Sequence, residues 1–164
     1  MNRVVVTGLG VVSPVGNDVE SFWHALCTGT CGIGPITRFD TTDFKVKIAG
    51  EVRNFDPKQY MDKLDILHSD IYTQFAMAAA CQAMFDSRLA SEIDPERIGV
   101  YIGTGIGGIA TFMAEHQKLL ERGPRRVSPF FIPMMIANMA SSMIAMRFGC
   151  KGPAMPMVTA FLGI

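Results

Sequence analysis

The sequence predicts an α/β fold, a mixed sheet with helices on its faces, from three stretches. Arg3–Thr7 and Ile98–Ile102 are β-branched runs that each lead into glycine, the composition of a strand entering a tight turn. Ala154–Ala160 follows the Gly152-Pro153 break and is apolar throughout, as suits a strand covered on both faces. Between these runs lie segments with apolar residues at helical spacing, so strands and helices alternate along the chain.

The 164 residues suit one domain, large enough to bury roughly 70% of its unfolded surface. With 15 basic and 15 acidic residues there is no global field for nucleic acid or an anionic membrane, and neither is expected as a partner. A hydrophobic content of 49% and twelve methionines predict that some apolar surface lies against further chain or a partner. The start has no secretory cleavage region. The longest apolar stretch, Phe130–Met146, is interrupted by Pro133, Asn138, Ser141 and Ser142, which suits a buried helix and not a membrane span. Cys27, Cys31, Cys81 and Cys150 are therefore read as reduced thiols of a cytoplasmic protein. His24, Cys27 and Cys31 lack the fourth ligand or second paired motif of a metal cluster, so no metal is expected.

The elements follow in order. After the opening strand and the Gly8-Leu9-Gly10 turn, Asn17 caps a helix with Glu20 three residues on. Val19, Phe22, Trp23 and Leu26 form its apolar face and Gly29 its stop. Residues 30–62 are irregular, punctuated by Gly32, Gly34, Pro35 and Pro57, with Phe44–Val52 as a strand or hairpin arm. They form a capping excursion with no linker composition at their ends. Asp70 caps a helix to about Asp86, whose face is Ile71, Phe75, Ala78, Ala79, Gln82 and Phe85.

Ile98–Ile102 runs into Gly103–Gly108 and a helix to Arg122. Gly103, Gly105 and Gly108 satisfy G-x-G-x-x-G, so a dinucleotide-binding domain is one reading. That fingerprint needs a second strand ending in an acid about 20 residues on, and Glu121 instead lies within the helix. Gly123–Pro133 reads as a loop with Arg125, Arg126 and two aromatics, and Met134–Phe148 as one buried helix stopped by Gly149.

Three quoted stretches, MNRVVVTGLGVVSPVGNDVESFWHAL, RFDTTDFKVKIAGEVRNFDPKQYMD and RVSPFFIPMMIANMASSMIAMRFGCKGPAMPMVTA, resemble the β-ketoacyl-acyl-carrier-protein synthases of the type II, elongating class. The resemblance covers residues 1–160, taken as one domain, and leaves 161–164 as a tail outside the pattern. It implies a thiolase-like fold, incomplete, holding most of the first of two halves. It also implies the family reaction. A Cys thiolate takes an acyl group from the carrier protein, malonyl loses CO₂, and the resulting carbanion attacks the thioester.

The same resemblance assigns positions. Phe161 stands where the nucleophile belongs and has no lone pair to offer, and the family's two His and one Lys lie in the second half. The chain is thus expected to be inactive alone, with no catalytic residue and no cofactor. Ile106 matches the residue that gates the fatty chain. Phe131 matches one that reaches across a dimer to the partner's acyl pocket. Lys63, Arg125 and Arg126 match positions facing the acyl carrier protein, although Leu64–Ile71 departs from the family's basic pattern and weakens that surface. Expected partners are the carrier protein and either a second copy or an intact synthase. A non-catalytic partner of an intact synthase is the alternative role.

Overall fold

The computed structural model describes residues 3–89 and 93–159. Its elements are α1 (Val19–Cys27), β1 (Ile33–Pro35), β2 (Ile48–Gly50), α2 (Lys63–Leu67), α3 (Ile71–Ser87), β3 (Val100–Thr104), α4 (Ile109–Arg122), α5 (Phe131–Met135), α6 (Met139–Phe148) and β4 (Ala154–Val158). Strands β3 and β4 pair in parallel, Val100 opposite Ala154 and Thr104 opposite Val158. A parallel pair needs a long crossover, which α4, α5 and α6 supply. Helix α6 packs against both strands and α3 packs against α6. The core sits there, with Met61, Met77 and Ile144 buried and Val100, Ile102 and Phe148 packed around them.

The excursion closes on itself through an antiparallel ladder, Ile33 opposite Gly50 and Pro35 opposite Ile48. The hairpin arm expected over Phe44–Val52 is thus realised in its centre. Asp70 caps α3, its carboxylate accepting from the Tyr72 amide, and Gly149 ends α6 in the left-handed conformation at φ 65°.

Five expectations are corrected. Arg3–Thr7 forms no strand, because among the described residues no strand lies beside it. Instead the Leu9 and Val11 amides donate to the Asp86 and Gln82 side chains of α3. A Cβ at Gly10 would lie 1.9 Å from the Ala79 carbonyl oxygen, so this segment lies backbone to backbone on the helix. Asp18, not Asn17, caps α1 by accepting from the Ser21 amide, while Asn17 donates its side-chain amide to the Arg53 carbonyl. The apolar face of α1 is open, with Trp23 65% and Leu26 51% exposed.

The face of α3 is different from that expected. Thr73, Gln74, Met77 and Ala78 are buried, whereas Phe85 is 88% exposed. The helix is touched by α6, by the segment around Gly10 and by Phe55, so no single apolar stripe describes it. The helix expected over Met134–Phe148 is two helices, broken at Ile136–Asn138, and the first begins inside the expected loop at Phe131. Finally, β4 is not covered on both faces. Among the described residues α6 is the helix packed most against it, and Met155, Met157 and Val158 are each 52% exposed. Pro156 within β4 fits an edge position, since it has no N–H to give a further strand.

Candidate functional site

Where β3 ends, the Gly103–Gly108 turn leads into α4, and this turn meets the α5–α6 break. Gly107 has a φ of 92°, and a Cβ on Gly108 would lie 2.4 Å from the Met134 carbonyl oxygen. The turn can therefore approach α5 only without side chains. The Gly108 amide donates to the Met135 carbonyl at 2.8 Å.

An apolar cavity of about 470 Å³ opens at this junction, lined by Ile106, Ile109 and Phe112 on one wall and Met135, Ile136 and Ala137 on the other. Phe131, half-buried at the start of α5, is not among the lining residues but has its ring 6.2 Å from that of Phe112. The site is open to solvent, with Ile106 66% exposed, and such apolar walls suit an alkyl chain better than any charged group.

The N-terminus of α4 is already filled. Asp70 Oδ2 accepts from both the amide and the hydroxyl of Thr111 at 2.7 Å. A dinucleotide pyrophosphate needs these helix-terminal amides, and here a buried carboxylate holds the Thr111 amide while Met135 holds that of Gly108. The dinucleotide reading of the glycine turn therefore loses its binding amides.

Beyond the C-terminus of α4, Pro124–Arg126 is a 3-10 turn that leaves Arg125 and Arg126 exposed. Glu115, 6% exposed, ties the following loop to α4 by accepting from the Ser128 amide and from Lys118. Those contacts, that with Lys118 first, hold its carboxyl below the ordinary glutamate value against the opposing effect of desolvation. Lys63 is the exposed first residue of α2. His68, which ends that helix, stacks on Phe130 at 3.8 Å and so joins the Lys63 helix to the segment after the arginines. Among the described residues none of Lys63, Arg125 and Arg126 forms an ion pair. Phe161 lies outside the described residues.

Other concavities lie away from the glycine turn, among them one of about 580 Å³ between Phe85, Ile98 and Phe148. A groove of about 590 Å³ along α1 is lined by Asp18, Glu20, Ser21, Trp23, His24 and Cys27, all from one short segment, so no second element closes it. Among the described residues no three His, Cys, Asp or Glu side chains are grouped to hold a metal, and no helix is long and apolar enough to cross a membrane. All four cysteines are unpaired.

Sequence reasoning singled out Ile106 and missed the opposite wall. Met135–Ala137 is helical by composition, and only Pro133, a first-turn residue, and Asn138, a capping residue, hinted at two helices.

Comparison with known proteins adds a family to this geometry. The family model described as "Beta-ketoacyl synthase, N-terminal domain" matches residues 1–161. A 3-oxoacyl-[acyl-carrier-protein] synthase 2 of Coxiella burnetii is 50% identical over 159 residues, covering 96% of this chain and 38% of the relative. Namesakes from Synechocystis and Staphylococcus aureus are 48% and 46% identical over the same span. The chain thus spans about 38% of the length of these curated relatives. Among solved structures, the ishigamide ketosynthase/chain length factor matches with a TM-score of 0.85 at 31% identity, over 94% of this chain and 39% of that one. A type II polyketide ketosynthase solved with its acyl-carrier protein matches at 0.78 and 22% identity, over 98% and 42%, and supports the fold alone.

Proposed function

Since the chain belongs to the β-ketoacyl synthase family as its N-terminal domain, we propose that it supplies the acyl-chain wall and the carrier-facing rim of a 3-oxoacyl-[acyl-carrier-protein] synthase. The reaction served is the decarboxylative condensation of an acyl thioester with a malonyl-carrier protein. The observation that carries this reading is the apolar cavity between the glycine turn and the α5–α6 break, with Ile106 on its wall. An alkyl chain gains roughly 0.8 kcal/mol for each methylene it buries in such a place.

In this reading Ile106 gates the chain and Phe131 reaches toward a second copy's pocket. Arg125 and Arg126, exposed and without ion pairs among the described residues, meet acidic groups of the carrier protein, as does the exposed Lys63. Residues 1–160 act as one cytoplasmic domain. Phe161, at the position matching the nucleophile, cannot form a thioester, so the 164-residue chain performs no condensation alone.

A second reading, pairing with another copy or with an intact synthase, is favoured by β4. Among the described residues it presents half-exposed Met155, Met157 and Val158, apolar surface that a second chain would cover. Sedimentation at several concentrations distinguishes this pairing from a lone monomer.

The test of the main reading titrates the chain with octanoyl-carrier protein. Saturable binding that weakens in Arg125→Glu/Arg126→Glu, with no condensation product after malonyl-carrier protein is added, supports the proposal. Binding that ignores both substitutions, or product above background, contradicts it.

A further inference from the structure

Two side chains in and just before the first turn of α3 reach both walls of the apolar cavity, and the function proposed above uses neither. Asp70 holds the first wall. Its Oδ2 accepts two bonds from Thr111, which sits between Ile109 and Phe112 in the opening turns of α4. Tyr72 holds the second. Its hydroxyl donates to the Ile136 carbonyl at 2.6 Å, 64 residues away, at the break between α5 and α6. The joint between the walls is the bond from the Gly108 amide to Met135.

The second bond matters because the segment it holds is one that composition would make helical. In a continuous helix the Ile136 carbonyl would accept from the amide four residues on. Here Ile136 is extended at ψ 141°, and its carbonyl finds the phenol and the Met139 amide instead. An external donor that satisfies a freed carbonyl stabilises a helix break. Tyr72 is thus a reason that Met135, Ile136 and Ala137 face the cavity as a wall.

We propose that Asp70 and Tyr72 are positioning residues that set the spacing of the two walls and thereby select the length of acyl chain the cavity accepts. The inference rests on the acyl reading of that cavity. Asp70 caps α3 and Tyr72 lies in its first turn, so a single helix start links the partners on the two walls. Apolar walls held at a fixed spacing discriminate by size, since a gap and an overlap both cost binding. One methylene too many or too few changes affinity by about tenfold in such a pocket.

The experiment uses the full 164-residue chain with cis-parinaric acid as the bound probe, displaced in turn by saturated fatty acids from hexanoic to hexadecanoic. The wild type is expected to prefer one length. Tyr72→Phe removes the bond to Ile136, and Thr111→Val removes one of the two bonds to Asp70 from the opposite wall. Each is expected to shift the preferred length or to reduce discrimination between lengths by about fivefold, the equivalent of one lost hydrogen bond. Thr111→Ser keeps both bonds and is expected to restore the wild-type profile, which guards against a variant that merely folds poorly. A profile unchanged in Tyr72→Phe and Thr111→Val overturns the proposal, as does a uniform weakening across all lengths. Failure of every acid to displace the probe from the wild type, or failure of the probe to bind, overturns the acyl reading and the selecting role together.

Discussion

One carboxylate oxygen of Asp70, Oδ2, lies 2.7 Å from both the amide nitrogen and the hydroxyl oxygen of Thr111, 41 residues further along the chain. Its other oxygen accepts from the Tyr72 amide at 3.2 Å. One buried side chain therefore caps α3 and fixes the start of α4. Asp70→Asn keeps the shape but turns an acceptor oxygen into a donor or weakens both bonds. The expected loss of stability is about 2 kcal/mol, the scale for hydrogen bonds to a charged group. Urea unfolding of wild type and variant, compared at equal slope, measures it.

Gly108 faces the Met134 carbonyl oxygen so closely that a methyl group at that position would lie 2.4 Å from it and 2.9 Å from the Met135 Cα. Backbone atoms cannot rotate away as a side-chain end can. Gly108→Ala is expected to cost about 1–3 kcal/mol and to separate the glycine turn from α5. Hydrogen exchange at the Gly108 amide reads that separation, because its bond to Met135 opens with it.

The Glu115 carboxyl, held by Lys118 and the Ser128 amide, titrates below the ordinary glutamate value of 4.5. A lowered value in the folded state means that these contacts stabilise the fold above the ordinary value. Their contribution is lost as pH falls through the lower one. The Ser128 amide resonance is expected to follow this titration, with a midpoint below 4.5. Glu115→Gln should remove the transition and loosen the loop that presents Arg125 and Arg126.

Cys81 shows an opposition of causes. Burial raises its thiol above the usual 9.0, and the nearby Arg147 charge partly offsets that rise. Alkylation by iodoacetamide is expected to be slower at Cys81 than at the exposed Cys27 and Cys31. Arg147→Gln should slow it further, as the thiolate loses a neighbouring cation. Peptide mass spectrometry over time resolves the sites.

Local signals in the sequence were sufficient where the structure is local. Asp70 as a cap, Gly149 as a stop, and strands around Val100–Thr104 and Ala154–Val158 all follow from a few adjacent residues. The opening run at Val4–Val6 has the composition of a strand, but a strand needs a neighbour and composition does not supply one. The α5–α6 break was hidden for a related reason. Its determinants, the Tyr72 hydroxyl and the side-chain-free approach of Gly107 and Gly108, come from elsewhere in the chain. Ile106 could be singled out through resemblance alone, while the wall opposite it emerged only from three-dimensional proximity.

The claim at the centre is that an acyl chain enters between the glycine turn and that break. Methyl-labelled protein titrated with the octanoyl thioester of N-acetylcysteamine tests it most directly. Saturable shifts are expected at the methyl groups of Ile106, Ile109, Met135 and Ile136, with Ile33 and Ile48 of the excursion unmoved. Shifts that never saturate, or that fall on Val4, Met155 and Met157 and leave Ile106 untouched, would contradict it.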